Sequence, residues 1–200
     1  MAETTVISFH NGNINDEVLK YQRLVFNHFN IPLNQIKTSL SHDEAIEDYL
    51  LSVKPKNFIL FDIDCIPISY SAYLYALHAC NNNQLFGARQ HASHIPNSRD
   101  YIAPCYMAFS FELYKSLGYP STKITSKADC AANITYSAYE KGIKPNFVNE
   151  THCENYKWYF DDGSMFGNGT TYGNLVYHEF EMNHYNRVEQ FVNKCKTILK

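Results

Sequence analysis

Residues 57–68 read Asn-Phe-Ile-Leu-Phe-Asp-Ile-Asp-Cys-Ile-Pro-Ile, and the reading of the whole chain starts there. Phe58, Ile59, Leu60 and Phe61 form a continuous apolar run, short enough for one strand buried on both faces. Pro55 and Pro67 on either side argue against a helix. Asp62 and Asp64 end the run. In extended chain, side chains at i and i+2 point the same way, so the two carboxylates are expected together at the carboxyl end of the strand, the edge of an open α/β sheet where ligands bind. Carboxylates so paired repel each other and are costly to desolvate unless a cation neutralises them, and oxygen ligands suit Mg²⁺ or Mn²⁺. Asp-x-Asp also arises by chance, and a phosphatase whose nucleophilic aspartate ends a buried strand carries a similar pattern. The rest of the chain has to decide.

Upstream, residues 5–9 are β-branched and aromatic and run into His10-Asn11-Gly12-Asn13, which reads as a strand and a turn. Asn15 or Asp16 can cap a helix to about residue 29, and residues 31–38 read as a second strand. Ser41-His42-Asp43-Glu44 has capping-box form and opens a helix to about residue 51. This alternation predicts an α/β fold with a doubly wound nucleotide-binding half. Gly12 is the only glycine in the first turn, so neither the Gly-x-Gly-x-x-Gly motif nor a P-loop is present. Phosphates held here need another source of neutralisation, which a metal on Asp62 and Asp64 can supply.

Downstream, Ser69 or Ser71 can cap a helix to about residue 80, and residues 85–89 read as a strand. Arg89, His91 and His94 then fall in a polar loop, either solvated or facing a substrate, with Arg89 the binding candidate. Residues 102–109 are apolar and residues 111–117 form a short helix. Asp129 precedes a helix over residues 131–141 closed by Gly142, and serves either as its N-cap or in a site. Residues 143–149 read as a last strand. Gly163, Gly167, Gly169 and Gly173, four of the eight glycines, then share one segment with Asp161-Asp162, Asn168, Thr170 and Tyr172. That segment is expected to be a loop, either a lid over a ligand with Gly169 and Thr170 touching it, or a disordered connection. Residues 174–178 return to a short apolar strand ending at His178, which is either a hydrogen-bonded structural residue or a third metal ligand. His184 follows, and residues 186–199 carry apolar positions at helical spacing.

Two hundred residues suit one domain, and a net charge of -3 gives no general attraction to nucleic acid or anionic membrane. The six cysteines have no Cys-x-x-Cys pair and read as reduced, packed thiols. The first residues lack a basic leader with an apolar stretch, and no apolar run approaches membrane-spanning length, so a cytoplasmic protein is expected, in the host cytoplasm if viral.

The first strand with its polar turn, the Phe61-Asp-Ile-Asp-Cys-Ile-Pro67 element, Asp129, the Phe166-Gly-Asn-Gly-Thr170-x-Tyr172 segment and Tyr177-His178 together resemble a compact GT-A fold glycosyltransferase across nearly the whole chain. The chain is most similar to the small metal-dependent enzymes of bacteria and large DNA viruses that decorate glycans or glycosylated capsid proteins. The resemblance implies one GT-A (Rossmann-like) domain over residues 1–200, with a central mixed, mostly parallel sheet flanked by helices. Residues 1–100 would bind a nucleotide-sugar donor, of the UDP-sugar type, and residues 101–200 a glycan or glycoprotein acceptor. It implies Mn²⁺ or Mg²⁺ as cofactor, held by Asp64 and His178, with Asp62 on ribose or metal. Phe9, Asn11 and Gly12 match positions that contact base and ribose, His42 can face the nucleotide, and Asp129 matches an acceptor base. Two other readings stay open. A metal-dependent phosphohydrolase would use Asp62 as nucleophile and need a phosphate-gripping lysine and a further acidic pair such as Asp161-Asp162. A non-catalytic carbohydrate- or nucleotide-binding module would use the 16 tyrosines and 13 phenylalanines for stacking.

Overall fold

The computed structural model describes residues 4–182 and 185–200, so His184 lies outside the described residues. In chain order the elements are β1 (Val6–His10), α1 (Asp16–His28), β2 (Leu33–Lys37), α2 (His42–Val53), β3 (Asn57–Phe61), β4 (Cys65–Pro67), α3 (Ser71–Asn81), β5 (Phe86–Gln90), β6 (Tyr101–Ser110), α4 (Phe111–Ser116), α5 (Ala132–Glu140), β7 (Asn146–Val148), β8 (Glu150–Tyr159), β9 (Met165–Tyr172), β10 (Val176–His178) and α6 (Tyr185–Ile198). Among the described residues, no helix is long and apolar enough to cross a membrane.

The apolar run of β3 lies inside a six-stranded sheet of order β2-β1-β3-β6-β5-β7. Strands β2, β1 and β3 are mutually parallel, β5 and β7 are parallel to each other, and β6 runs antiparallel to both β3 and β5. The sheet is therefore mixed and mostly parallel, with helices on both faces. Alternation along β3 divides its side chains between two cores: Ile59 and Phe61 pack with Phe26 of α1 and Tyr73 and Ala76 of α3, while Phe58 and Leu60 pack with Ile46 and Leu50 of α2 and Ile134 of α5. All four are fully buried, each worth roughly 1.5–3 kcal/mol in area removed from water.

Local signals fix the helices that border the cleft. The Asn15 side chain caps α1 by accepting from the Glu17 amide at 2.8 Å. The Glu44 carboxylate accepts from the Ser41 amide at 3.2 Å, which completes the capping box of α2 and sets His42 as its first residue. The serine expected to cap α3 does not do so: the N-cap is Tyr70, with no side-chain hydrogen bond.

The connection after β3 carries the chain into a second sheet of order β4-β10-β9-β8, all antiparallel. Two expectations are corrected here. Two unexpected strands, β8 and β9, lie between β7 and β10, which matches the strand expected over residues 174–178. The glycine-dense segment is not a loop: the turn is confined to residues 160–164, where the Phe160 amide donates to the Ser164 carbonyl at 2.8 Å, and residues 165–172 are strand β9. Within β9, Gly167 and Gly169 serve close approach to β8 rather than mobility. A Cβ on Gly167 would collide with the Asn155 carbonyl oxygen of β8, and one on Gly169, at φ +70°, would meet the Glu154 side chain at 2.9 Å. Thr170 is fully buried, and its hydroxyl donates to the Gly167 carbonyl at 2.6 Å.

Candidate metal centre and cleft

Because β1 leads to β2 on one side and β3 sits on the other, the crevice between β1 and β3 is the topological switch point of the sheet. A cleft of about 220 Å³ opens there, at the carboxyl ends of β1, β2 and β3. Phe9, Ile14, Leu40 and Ile63 give it apolar walls, and His10, Asn11, His42 and Asp62 supply polar atoms. Gly12 is not among its lining residues; at φ +86° it shapes the turn, and a Cβ there would meet the Lys37 side chain at 2.7 Å. His10 went unremarked as a candidate in the sequence. Its Nδ1 and the Nε2 of His42 are buried with no hydrogen-bond partner among the described residues. Burial lowers the His10 pKa, with Lys37 and Arg23 acting the same way, so its ring is neutral near pH 7.

Asp62 and Asp64 converge, though not by the expected route. β3 ends at Phe61, and residues 62–65 form a turn in which the Cys65 amide donates to the Asp62 carbonyl at 3.0 Å. That turn is held from three sides. The Asp62 amide donates to the Cys105 carbonyl of β6, and the Glu179 amide to the Asp64 carbonyl, each at 3.0 Å. From α1, the fully buried Gln22 donates its amide to the carbonyls of Asp62 (2.7 Å) and Cys65 (3.1 Å) and accepts from Gln35 Nε2 (2.9 Å). Nothing in the spacing of α1 distinguishes this glutamine.

His178 reaches the turn through the second sheet, where antiparallel pairing of β4 with β10 sets His178 opposite Cys65. Its Nε2 lies 3.0 Å from Asp64 Oδ1, and one ligand atom from each of Asp62, Asp64 and His178 falls within 4.8 Å of the others. Asp64 and His178 are buried, and the Phe180 ring covers the imidazole at 3.9 Å between centroids. Burial raises the Asp64 pKa, opposed by His178 and reinforced by Asp62. Burial alone would lower that of His178, but the Asp64 carboxylate, 3.0 Å from its Nε2, outweighs burial and raises it. Burial also raises Cys105, which therefore stays a neutral thiol. His42 Nδ1 stands 3.6 Å from Asp62 Oδ1.

These groups open onto a larger cavity of about 430 Å³, which shares Ser41, His42 and Asp62 with the cleft and is also lined by Asp129 and Tyr101. Asp129 is not the N-cap of α5: that position is Ala131, in the left-handed region at φ +58°. Asp129 Oδ1 accepts from the Cys130 amide at 2.8 Å, and its Oδ2 accepts from the Tyr101 hydroxyl at 3.0 Å. Burial and the Asp129 charge raise the Tyr101 pKa, so the phenol keeps its proton and remains a donor.

The remaining candidates lie elsewhere. Arg89 belongs to β5 rather than to a loop. Its guanidinium is taken up by Asp100 and by Asp162 at 3.0 Å, with the Phe160 ring beneath it at 4.3 Å. It faces a separate cavity with Arg99 and Lys144, and pins the β8–β9 turn to the main sheet. The Ser164 hydroxyl and amide, together with Arg89, hold the Asp162 carboxyl at about 2. His91, Asp100 and Asp161 gather beside this network within 4.8 Å of one another, where Arg89 already supplies the compensating charge. Gly169 and Thr170, inside β9, line neither the cleft nor the large cavity.

No family model matches the chain, and no curated protein matches it. Among solved structures it is similar to A197 from STIV, with 12% identity and a TM-score of 0.40 over 68% of this chain and 75% of that one.

Proposed function

We propose that this protein is a metal-dependent glycosyltransferase of the GT-A type, moving a sugar from a nucleoside-diphosphate sugar to a hydroxyl of a glycan or glycoprotein. One observation carries the reading. The large cavity beside the switch-point cleft is lined by five carboxylates, those of Asp43, Asp62, Asp64, Asp129 and Glu181, of which Glu181 pairs with Lys157 from outside it, and neither it nor the cleft has a lysine or arginine in its lining among the described residues. A pyrophosphate is repelled from such a cavity unless a cation accompanies it. The donor set fits a hard divalent ion: carboxylate oxygens from Asp62 and Asp64 and an imidazole nitrogen from His178, with the nearby thiol neutral. Bound there, Mn²⁺ or Mg²⁺ supplies positive charge to the pyrophosphate of the departing nucleotide.

The chain's own residues account for the rest. Phe9, Ile14, Leu40 and Ile63 offer apolar surface to a base, and His10, Asn11 and His42 offer polar atoms to a ribose. Asp129 receives the acceptor proton: the acceptor oxygen bonds to the anomeric carbon, the bond from that carbon to the phosphate oxygen breaks, and the nucleoside diphosphate leaves. The phosphohydrolase reading has less support, since Asp161 and Asp162 are engaged with His91 and Arg89 outside this cavity and, among the described residues, no lysine lines it.

Calorimetry with UDP and with GDP, each with and without Mn²⁺, tests the proposal. Binding of at least one nucleotide only when Mn²⁺ is present is the expected result, followed by manganese-dependent release of free nucleotide from one of a panel of nucleotide sugars. Nucleotide binding that ignores the metal overturns it. A related expectation concerns Gln22. Replacing it by methionine removes the side-chain donor to the Asp62 and Cys65 carbonyls, leaving Asp62 with the Cys65 amide, and should destabilise the fold by about 1–3 kcal/mol. Loosening the turn should also weaken Mn²⁺-dependent nucleotide binding about 10–100-fold. Urea unfolding and calorimetry on the same variant measure both.

A further inference from the structure

A smaller cavity, of about 190 Å³, adjoins the large one and shares Gln90, Tyr101, Asp129 and Phe180 with it. One wall is aromatic. The rings of Trp158, Phe166 and Phe180 lie 5.1 to 6.0 Å apart by centroid, with Trp158 in contact with both phenylalanines. These three belong to neither of the two cores around β3, and Trp158 and Phe180 are only partly buried. The rest of the lining is largely polar, with the Asp129 carboxylate, the Gln90 amide and the imidazoles of His91 and His94. His91 is held by Asp100 at 3.0 Å, whereas His94 is exposed.

A cavity with one aromatic wall and an otherwise largely hydrogen-bonding lining matches a pyranose, which has apolar C–H faces and a polar rim. Its volume falls below the roughly 300–1,000 Å³ of clefts that bury drug-sized ligands, so it suits one ring rather than an oligosaccharide. Phe180 is the hinge of the argument. One neighbour of its ring is the His178 imidazole of the metal centre, and another is Trp158 at 5.1 Å, so a sugar stacked on this wall lies next to the donor site. Asp129 faces both cavities.

Resting on the glycosyltransferase reading, we propose that this cavity is the acceptor subsite, in which one pyranose of the acceptor stacks on Trp158 and Phe180 and turns its hydroxyls toward Asp129 and His94. The surface outside it accommodates the remainder of the glycan or its protein carrier.

Trp158 is the single tryptophan of the chain, so its emission reports this cavity without interference. The full-length protein, with Mn²⁺ and UDP present, is titrated with the methyl glycosides of glucose, galactose, mannose, rhamnose and N-acetylglucosamine. A saturable change in emission with at least one glycoside is expected. Phe180→Leu should raise the dissociation constant of that glycoside about tenfold through loss of the aromatic face. His94→Ala, at an exposed position that the fold does not need, should weaken it as well. Calorimetry of Mn²⁺ with UDP alongside separates the two layers. Intact nucleotide binding with no emission change for any glycoside, or with glycoside affinity the same in both variants, overturns the subsite and leaves the donor reading standing. Saturable glycoside binding without nucleotide binding supports the subsite and overturns the transferase.

Discussion

Asp64→Asn is expected to remove Mn²⁺-dependent nucleotide binding, with affinity falling about 100-fold or more, while the fold remains intact. Changes to groups that only orient a metal ligand lower affinity 10–100-fold, and loss of a charged ligand belongs at or beyond the upper end of that range. The variant separates function from stability. Asp64 is buried close to the second carboxylate of Asp62, with His178 as its charged partner. A neutral asparagine of the same shape keeps a hydrogen bond to the imidazole and removes the repulsion. Losing one member of a buried charge pair costs stability, tempered here because the imidazole can release its proton and the Asp62 repulsion is relieved, so the variant without metal should lose no more than about 3 kcal/mol and stay folded. Thermal unfolding then gives a second reading. Mn²⁺ with UDP should raise the melting temperature of the wild type and leave that of the variant unmoved, because only a ligand bound to the native state shifts it. Equal shifts in the two proteins would end the metal assignment.

How much of this was legible in the sequence depends on the range of the interaction. β3 was, because four large apolar residues between prolines permit one buried strand, and so were α1 and α2, whose Asn15 and Ser41–Glu44 caps act within three residues. The convergence of Asp62 and Asp64 was anticipated for the wrong reason. The pair meets in a turn held by Gln22, Cys105 and Glu179, and contacts so distant in the chain leave no mark on the spacing of the motif. His178 stood out as the end of a short apolar strand. Its partner was hidden, because the three-residue strand β4 that sets it beside Asp64 has no periodicity of its own. The largest misreading fell on residues 150–172. β8 is mostly exposed and polar, with no two-residue alternation, and the glycines of β9 suggest a loop to any reading based on conformational freedom. Only the neighbouring atoms of β8, the Asn155 carbonyl beside Gly167 and the Glu154 side chain beside Gly169, explain why a strand requires them. Arg89 lies away from the candidate metal centre for a similar reason, since its carboxylate partners include Asp162 from that same hairpin.

The second large effect is expected at Asp129. Asp129→Asn should lower kcat by roughly 10²–10⁴-fold, the usual contribution of a positioned general base, with Mn²⁺-dependent nucleotide affinity unchanged. The substitution is conservative where it matters for folding. The asparagine carbonyl can still accept from the Cys130 amide, and its amide nitrogen can donate to the Tyr101 hydroxyl oxygen, so the turn before α5 has its partners. What is lost is the ability to take a proton. Tyr101→Phe provides the graded comparison: it keeps the carboxylate and removes one donor that orients it, so its loss of kcat should be smaller than that of Asp129→Asn. This ordering tests more than the identity of the base. A displacement that inverts the anomeric centre requires a group to deprotonate the attacking hydroxyl, whereas one that retains configuration has no such need. A collapse of kcat in Asp129→Asn, with donor binding intact, therefore assigns inversion, which proton NMR of the first-formed product checks independently. Wild-type turnover in that variant, together with a retained anomeric configuration, would remove Asp129 from the chemistry and leave it as the anchor of the Tyr101 hydroxyl.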